Sequence, residues 1–235
     1  MSDGTVGEPS EGPVVTIDGP AGSGKSSTAK AVARVLAYRH LDSGALYRAL
    51  TLALLQAGIA PDRWAGVSEQ FLLALDVDMR ATDEGFAVWV GGAEVDEELR
   101  TQEVTEHVSH LARLAAVRGC LLDLQRRAGA KGRLVADGRD MGTVVFPDAE
   151  VKVYLVADVA ERARRRLLEQ AGPEIDDAEL ALQIETIEDR DRRDSEREIS
   201  PLRKAPDAVE IDTTGLDFQD QVDAVVARVR RLTLS

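Results

Sequence analysis

Eight consecutive residues, Gly19-Pro20-Ala21-Gly22-Ser23-Gly24-Lys25-Ser26, combine three glycines with a lysine and a hydroxyl in the spacing G-x-x-x-x-G-K-S. Those types suit the binding of a polyphosphate. Glycines let successive backbone N–H groups turn toward one anion, and a helix beginning at the end of the loop adds partial positive charge. Lys25 reaches the β and γ phosphates of a nucleoside triphosphate, and Ser26 offers its hydroxyl to the accompanying Mg²⁺, with Ser27 closing the loop. The motif names a phosphoryl donor and leaves the acceptor open, since GTPases, ATPases, transporters and small-molecule kinases all carry it.

Three further polar clusters bear on the acceptor. The first, Leu41-Asp42-Ser43-Gly44-Ala45-Leu46-Tyr47-Arg48, opens a predicted helix, where Asp42 or Ser43 serves as a cap or Ser43 meets a ligand. The second runs from Asp137 through Arg139 and Asp140 to Pro147, at the carboxyl end of a buried-strand candidate, which is the edge where open α/β sheets bind ligands. A charged Arg–Asp pair placed there is costly to desolvate, so its position favours function over stability. The third, Arg190-Asp191-Arg192-Arg193-Asp194-Ser195-Glu196-Arg197, sets Arg190, Arg193 and Arg197 on one helical face with Asp194 a turn after Arg190. His107 and His110, with Glu103 and Glu106, have helical spacing but no fourth ligand, so a structural metal is not expected.

The elements that must hold these residues follow from periodicity. Val14-Val15-Thr16-Ile17 has the composition of a fully buried strand, and Ala29, Val32, Ala33 and Leu36 recur at helical spacing after the loop. Helices are predicted over 45–56 and 68–75, then a hairpin from 77–81 to 86–90 around Thr82-Asp83-Glu84-Gly85. Helical spacing returns from about Val104 through Leu124. Buried strands are expected at 133–137 and 151–156, helices at 159–168 and 177–193, and a closing strand and helix at 208–211 and 218–232. This alternation implies an α/β fold: an open parallel sheet of the P-loop type with helices on both faces, interrupted by a small antiparallel insert.

The chain has 235 residues and a formal net charge of −13. That balance argues against a nucleic-acid polymer as partner, because a general binder needs a basic face to displace phosphate counterions. Any phosphate site must be local, and most of the positive charge is arginine, whose flat fork suits phosphate. No apolar run approaches the length of a membrane helix, and residues 1–12 have neither a basic nor an apolar leader segment, which leads us to expect a disordered tail on a cytoplasmic protein. The single cysteine, Cys120, excludes an intramolecular disulfide and suits a buried helix position. A GTP switch would carry a guanine signal such as N-K-x-D, which is absent.

Taken together, the segments resemble the bacterial cytidylate kinases, a branch of the nucleoside monophosphate kinases. The phosphate loop, Leu41 to Arg48, Arg100-Thr101-Gln102-Glu103-Val104, Asp137 to Pro147 and Arg190 to Leu202 stand in that family's order and spacing. The resemblance implies ATP-dependent phosphorylation of CMP and dCMP with Mg²⁺, in pyrimidine nucleotide metabolism, by a cytoplasmic monomer. It implies one kinase domain over 13–235, with an acceptor-binding insert at about 68–110 and a mobile helical lid at about 162–177. It also implies roles. Ser43, Tyr47 and Arg48 would meet the acceptor, with Arg139 and Arg197 joining Arg48 around its phosphate; Ser109, Arg118 and Asp140 would read the cytosine edge; Arg190 and Asp194 would hold the sugar hydroxyls, and Asp137 completes the set. Lys25, Arg139 and the lid arginines Arg162 and Arg166 would stabilise charge in the transfer. Glu198-Ile199-Ser200, ahead of Pro201, departs from the small apolar residues usual in the family.

Overall fold

The structure is a computed structural model that describes residues 12–172 and 174–233. The expected tail over 1–12 therefore lies outside the described residues except for Gly12. The core is a five-stranded parallel sheet in the order β2-β6-β1-β7-β8, formed by β1 (Val14–Asp18), β2 (Arg39–Asp42), β6 (Leu134–Gly138), β7 (Val151–Val156) and β8 (Val209–Asp212). Strand β1 lies at the centre, paired with β6 on one side and β7 on the other, so the loop that leaves its carboxyl end sits over the middle of the sheet. A three-stranded antiparallel sheet, β3 (Val77–Ala81), β4 (Phe86–Val90) and β5 (Ala93–Val95), forms the insert. The helices are α1 (Lys25–Leu36), α2 (Ser43–Gln56), α3 (Glu69–Ala74), α4 (Gln102–Leu111), α5 (Ala115–Gly129), α6 (Val159–Ala171), α7 (Asp177–Ser195) and α8 (Phe218–Thr233).

Side chains alternate across the sheet and build a core on each face. Val15 and Ile17 of β1 and Val135 of β6 join Val32 of α1 and Val225 of α8 on one side. Leu134 and Ala136 of β6 turn to the other side and meet Leu46, Leu50 and Leu54 of α2. That second core continues without interruption into Val88 and Val90 of the insert, Val104 of α4 and Leu121 of α5. Each fully buried leucine contributes about 1.5–3 kcal/mol relative to leaving it in water. The insert is thus joined to the sheet by shared apolar burial.

Several elements differ from expectation, each for a physical reason. Strand β2 was not foreseen, because four residues beginning Arg39-His40 carry no apolar alternation, yet parallel pairing with β6 secures them. The helix expected from 104 to 124 breaks at 112–114, where neither glycine nor proline marks a stop. The carbonyl of Ala112 instead accepts a hydrogen bond from Arg118 Nη1 at 2.9 Å, so a side chain takes the place of the next helical turn. A short π-helical turn at Met141–Val145 was likewise invisible in the pattern. Cys120 sits on α5 as expected but is only partly buried.

The insert docks on the sheet through backbone as well as core. The N–H of His40 in β2 donates to the carbonyl of Glu84 at 3.2 Å, and the two segments form a parallel bridge between His40 and Gly85. A Cβ at Gly85 would lie 2.4 Å from the His40 carbonyl oxygen, so only glycine allows this approach. Gly85→Ala is expected to pry the turn from β2 and cost about 1–3 kcal/mol, to be measured as a lowered denaturant midpoint at unchanged m-value.

Candidate active site

The loop between β1 and α1 curls over the sheet's carboxyl edge, and Gly24 takes a left-handed backbone (φ 80°) that lets α1 begin at Lys25. Lys25 is buried, and its Nζ donates to the carbonyl of Pro20 at 2.9 Å. Burial pushes its ammonium well below the usual lysine range and Arg139 adds to that, against the pull of Asp137. Ser26 donates its hydroxyl hydrogen bond to Asp137 Oδ2, while Asp137 Oδ1 lies 2.8 Å from His40 Nε2. Ser26 and Asp137 together form the kind of hard oxygen donor pair that holds Mg²⁺ through one or two protein ligands beside nucleotide phosphates.

A cleft of about 790 Å³ opens from this loop toward the insert. Its far side is built by buried and half-buried arginines and the carboxylates that hold them. Arg139 Nε donates to Asp194 Oδ2 at 2.9 Å, Arg197 Nε donates to the Asp194 carbonyl at 3.1 Å, and Arg118 is bonded to Asp140. Arg118 also lies 5.3 Å from the centre of the Tyr47 ring, and burial pushes that phenol up to about 12. Burial raises the Asp194 carboxyl, but Arg139, Arg197 and Arg190 outweigh it and hold the group below the ordinary range. Arg190 is pushed down to about 10 by burial, with Arg139 adding to the effect. Arg118 Nε, Arg190 Nε and Arg197 Nη2 are buried without a hydrogen-bond partner. Buried donors left in this way are uncommon, and three of them gather on arginines that line the cleft.

The family model for cytidylate kinase matches residues 15–231. This chain belongs to the cytidylate kinase family. It is 45% identical to a cytidylate kinase of Exiguobacterium sibiricum over 93% of its own length and 95% of that protein's. It is 44% identical to the cytidylate kinase of Bacillus subtilis strain 168, covering 92% and 96% of the two chains. It is also 46% identical to a bifunctional pantoate ligase/cytidylate kinase of Trichormus variabilis over 91% of this chain, which spans only 40% of that longer protein. The fold is shared with the solved structure of an uncharacterized protein from Eubacterium ventriosum, with a TM-score of 0.50, 12% identity and coverage of 94% and 99%.

Most residues singled out from the sequence of this cytidylate kinase family member line the one cleft. Ala21, Gly22, Gly24, Lys25, Ser26 and Ser27 of the loop line it, with Asp137 bonded to Ser26; so do Ser43, Tyr47, Arg48, Ser109, Arg118, Arg139 and Asp140, Arg166 from α6, Arg190 and Asp194 from α7, and Arg197 just beyond the end of α7. Gly19, Pro20, Ser23 and Arg162 do not line it. Ser23 is fully buried and donates to the Pro20 carbonyl at 3.1 Å, which braces the loop from behind. Arg162 is spent on backbone and carboxylate partners, whereas Arg166 is part-exposed and, among the described residues, paired with Glu169 at 3.6 Å. His107 and His110 pack beside Trp64, with ring centroids 5.8 and 6.1 Å away.

Sequence reading missed Asp18, His40 and Asp191. Asp18 ends β1 and accepts hydrogen bonds from the N–H groups of Met141 and Gly142, both at 2.8 Å, which fixes the segment carrying Arg139 and Asp140. A carboxylate on a buried strand end next to a phosphate loop was the available signal. Burial pushes Asp18 up to about 7, against the pull of those two N–H groups. A folded value raised above the ordinary 3.8 means stability is full at low pH and is lost as pH rises toward about 7. Asp18→Asn keeps one acceptor and removes the ionisation. The variant's stability relative to the parent is therefore expected to rise by a few kcal/mol between about pH 4 and 7 and then level off, as read from denaturant unfolding across that range.

Proposed function

We propose that this protein transfers the γ-phosphate of ATP to CMP and dCMP, giving CDP and dCDP. One observation carries the reading: a phosphate loop with a buried, under-neutralised lysine faces, across a single cleft, buried arginines whose spare N–H groups have no partner. Family membership supports cytidine monophosphates over other acceptors for that second anion site. In this assignment Arg48, Arg139 and Arg197 bind the acceptor phosphate, Ser109, Arg118 and Asp140 face the base, and Arg190 with Asp194 holds the sugar; Ser43 and Tyr47 shape the floor.

The transfer needs no general base, because a phosphate monoester is largely ionised near neutral pH. Positioning and electrostatics supply the rate. Lys25 regains a counter-charge when the donor phosphates enter and stabilises the charge that spreads over the moving phosphoryl group. Ser26 and Asp137 would hold Mg²⁺, which neutralises charge on the same phosphates. Arg139 lies on the acceptor side of that group and Arg166 on the lid side, and Arg166 has the freedom to close on it. Closure also excludes water, whose attack would waste ATP. The same resemblance carries the cytoplasmic setting, the monomeric state and the place in pyrimidine nucleotide metabolism.

ADP release from ATP and Mg²⁺ should be stimulated strongly by CMP and dCMP, measured beside UMP, AMP and no acceptor. Absence of stimulation by any nucleotide would sink the proposal. Lys25→Ala should lower kcat by about 10²–10³. Arg48→Ala should raise the KM for CMP about tenfold or more, and Asp140→Ala should erase the preference for cytosine, both measured in steady-state assays.

A further inference from the structure

Helix α7 presents one side to the acceptor cleft through Arg190 and Asp194, and the residue between them in the helical turn, Asp191, turns the other way. Its Oδ1 accepts the backbone N–H of Ala21 in the phosphate loop at 2.9 Å. Its Oδ2 is paired with Arg162 Nη1 from α6, and that same Nη1 donates to the carbonyl of Ala21 at 2.9 Å. Arg162 Nε is fixed in turn by the Ala157 carbonyl at 3.0 Å. Both polar groups of a single loop residue are thus held by one ion pair formed from two helices. The side chain of Ala21 adds an apolar contact with Ala163 and Ile187 of the same helices.

We infer that Asp191, acting with Arg162, is a positioning residue that sets the donor loop against the helix carrying the acceptor contacts. Neither side chain lines the cleft, so the pair acts through Ala21. The ion pair is mostly buried, with side-chain exposures of 9% for Arg162 and 18% for Asp191, so water competes weakly for it. Removing one partner leaves the other a buried charge and frees the Ala21 peptide to rotate. The loop N–H groups that meet the donor phosphates depend on that peptide, because neighbouring amides in a tight loop share their torsions. Donor binding therefore depends on Asp191 more than acceptor binding does.

The inference rests on residues 19–27 being the donor site and is independent of which acceptor is used. Binding of a fluorescent ATP analogue with Mg²⁺ and no acceptor tests it on the full chain. Asp191→Ala and Arg162→Ala should each weaken ATP about tenfold, and the double variant should be no worse than the poorer single one, as for groups acting as a unit. In steady state the KM for CMP should move less than about threefold, a split that general loosening would not give. Asp191→Asn keeps an oxygen for the Ala21 N–H but no charge for Arg162, so its loss should be intermediate; if Asp191→Ala does not fold, Asn alone decides. ATP affinity unchanged in the Asp191 variants while Lys25→Ala abolishes binding would overturn the inference. So would equal losses for ATP and CMP together with a lowered melting temperature. If Lys25→Ala also binds ATP like the parent, the donor assignment itself falls.

Discussion

Taking a cation out of water is costly unless an anion replaces the lost hydration. The cleft of this protein gathers Lys25, Arg48, Arg118, Arg139, Arg190 and Arg197, and burial depresses several of them. The carboxylates of Asp140 and Asp194 offset part of that cost and fix the direction of the guanidinium groups. A phosphate bound in the cleft would supply what they leave unmet. A protein with a net charge of −13 thus concentrates positive charge in one place, partly shielded from water, which suits anions. In the proposed assignment the donor and the acceptor each meet a deficit that the fold has built in.

The scaffold exists to hold that deficit still. Asp137, at the end of the fully buried β6, is the point where several parts meet: Ser26 from the donor loop and His40 from β2 bond its carboxylate, and Ser43 from α2 donates to its carbonyl at 2.7 Å. The neighbouring strand end, Asp18, fixes the turn beyond Arg139 and Asp140. Strand ends in a parallel sheet are rigid because pairing on both sides removes their freedom, and so the carboxylates placed on them serve as anchors. The backbone bridge between His40 and Gly85 carries the same rigidity out to the insert.

Helix α7 faces two parts of the site. Arg190 and Asp194 stand on one side, Asp191 on the other, and the run Arg190-Asp191-Arg192-Arg193-Asp194 divides between them by helical rotation. Arg192 remains with Asp189 on the surface. Of five charged neighbours in one stretch, position around the helix decides which are buried and which meet solvent, so each charge has a different dielectric surrounding.

The sequence by itself determined the donor loop, the alternation of strands and helices, and the parallel sheet, since glycine spacing and apolar runs are local properties of the chain. It also marked Ser43, Arg48, Arg139 and Arg190 through Arg197 as polar residues at element ends, where ligands collect. Only the tertiary structure decided the rest. Strand β2 exists through pairing with β6, and the break between α4 and α5 exists because Arg118 captures a carbonyl six residues earlier. Arg162 and Arg166 are indistinguishable in the sequence, yet one is locked to the loop and the other lines the cleft. Asp18 and Asp191 gain their roles from N–H groups 123 and 170 residues away, a separation that no local pattern records.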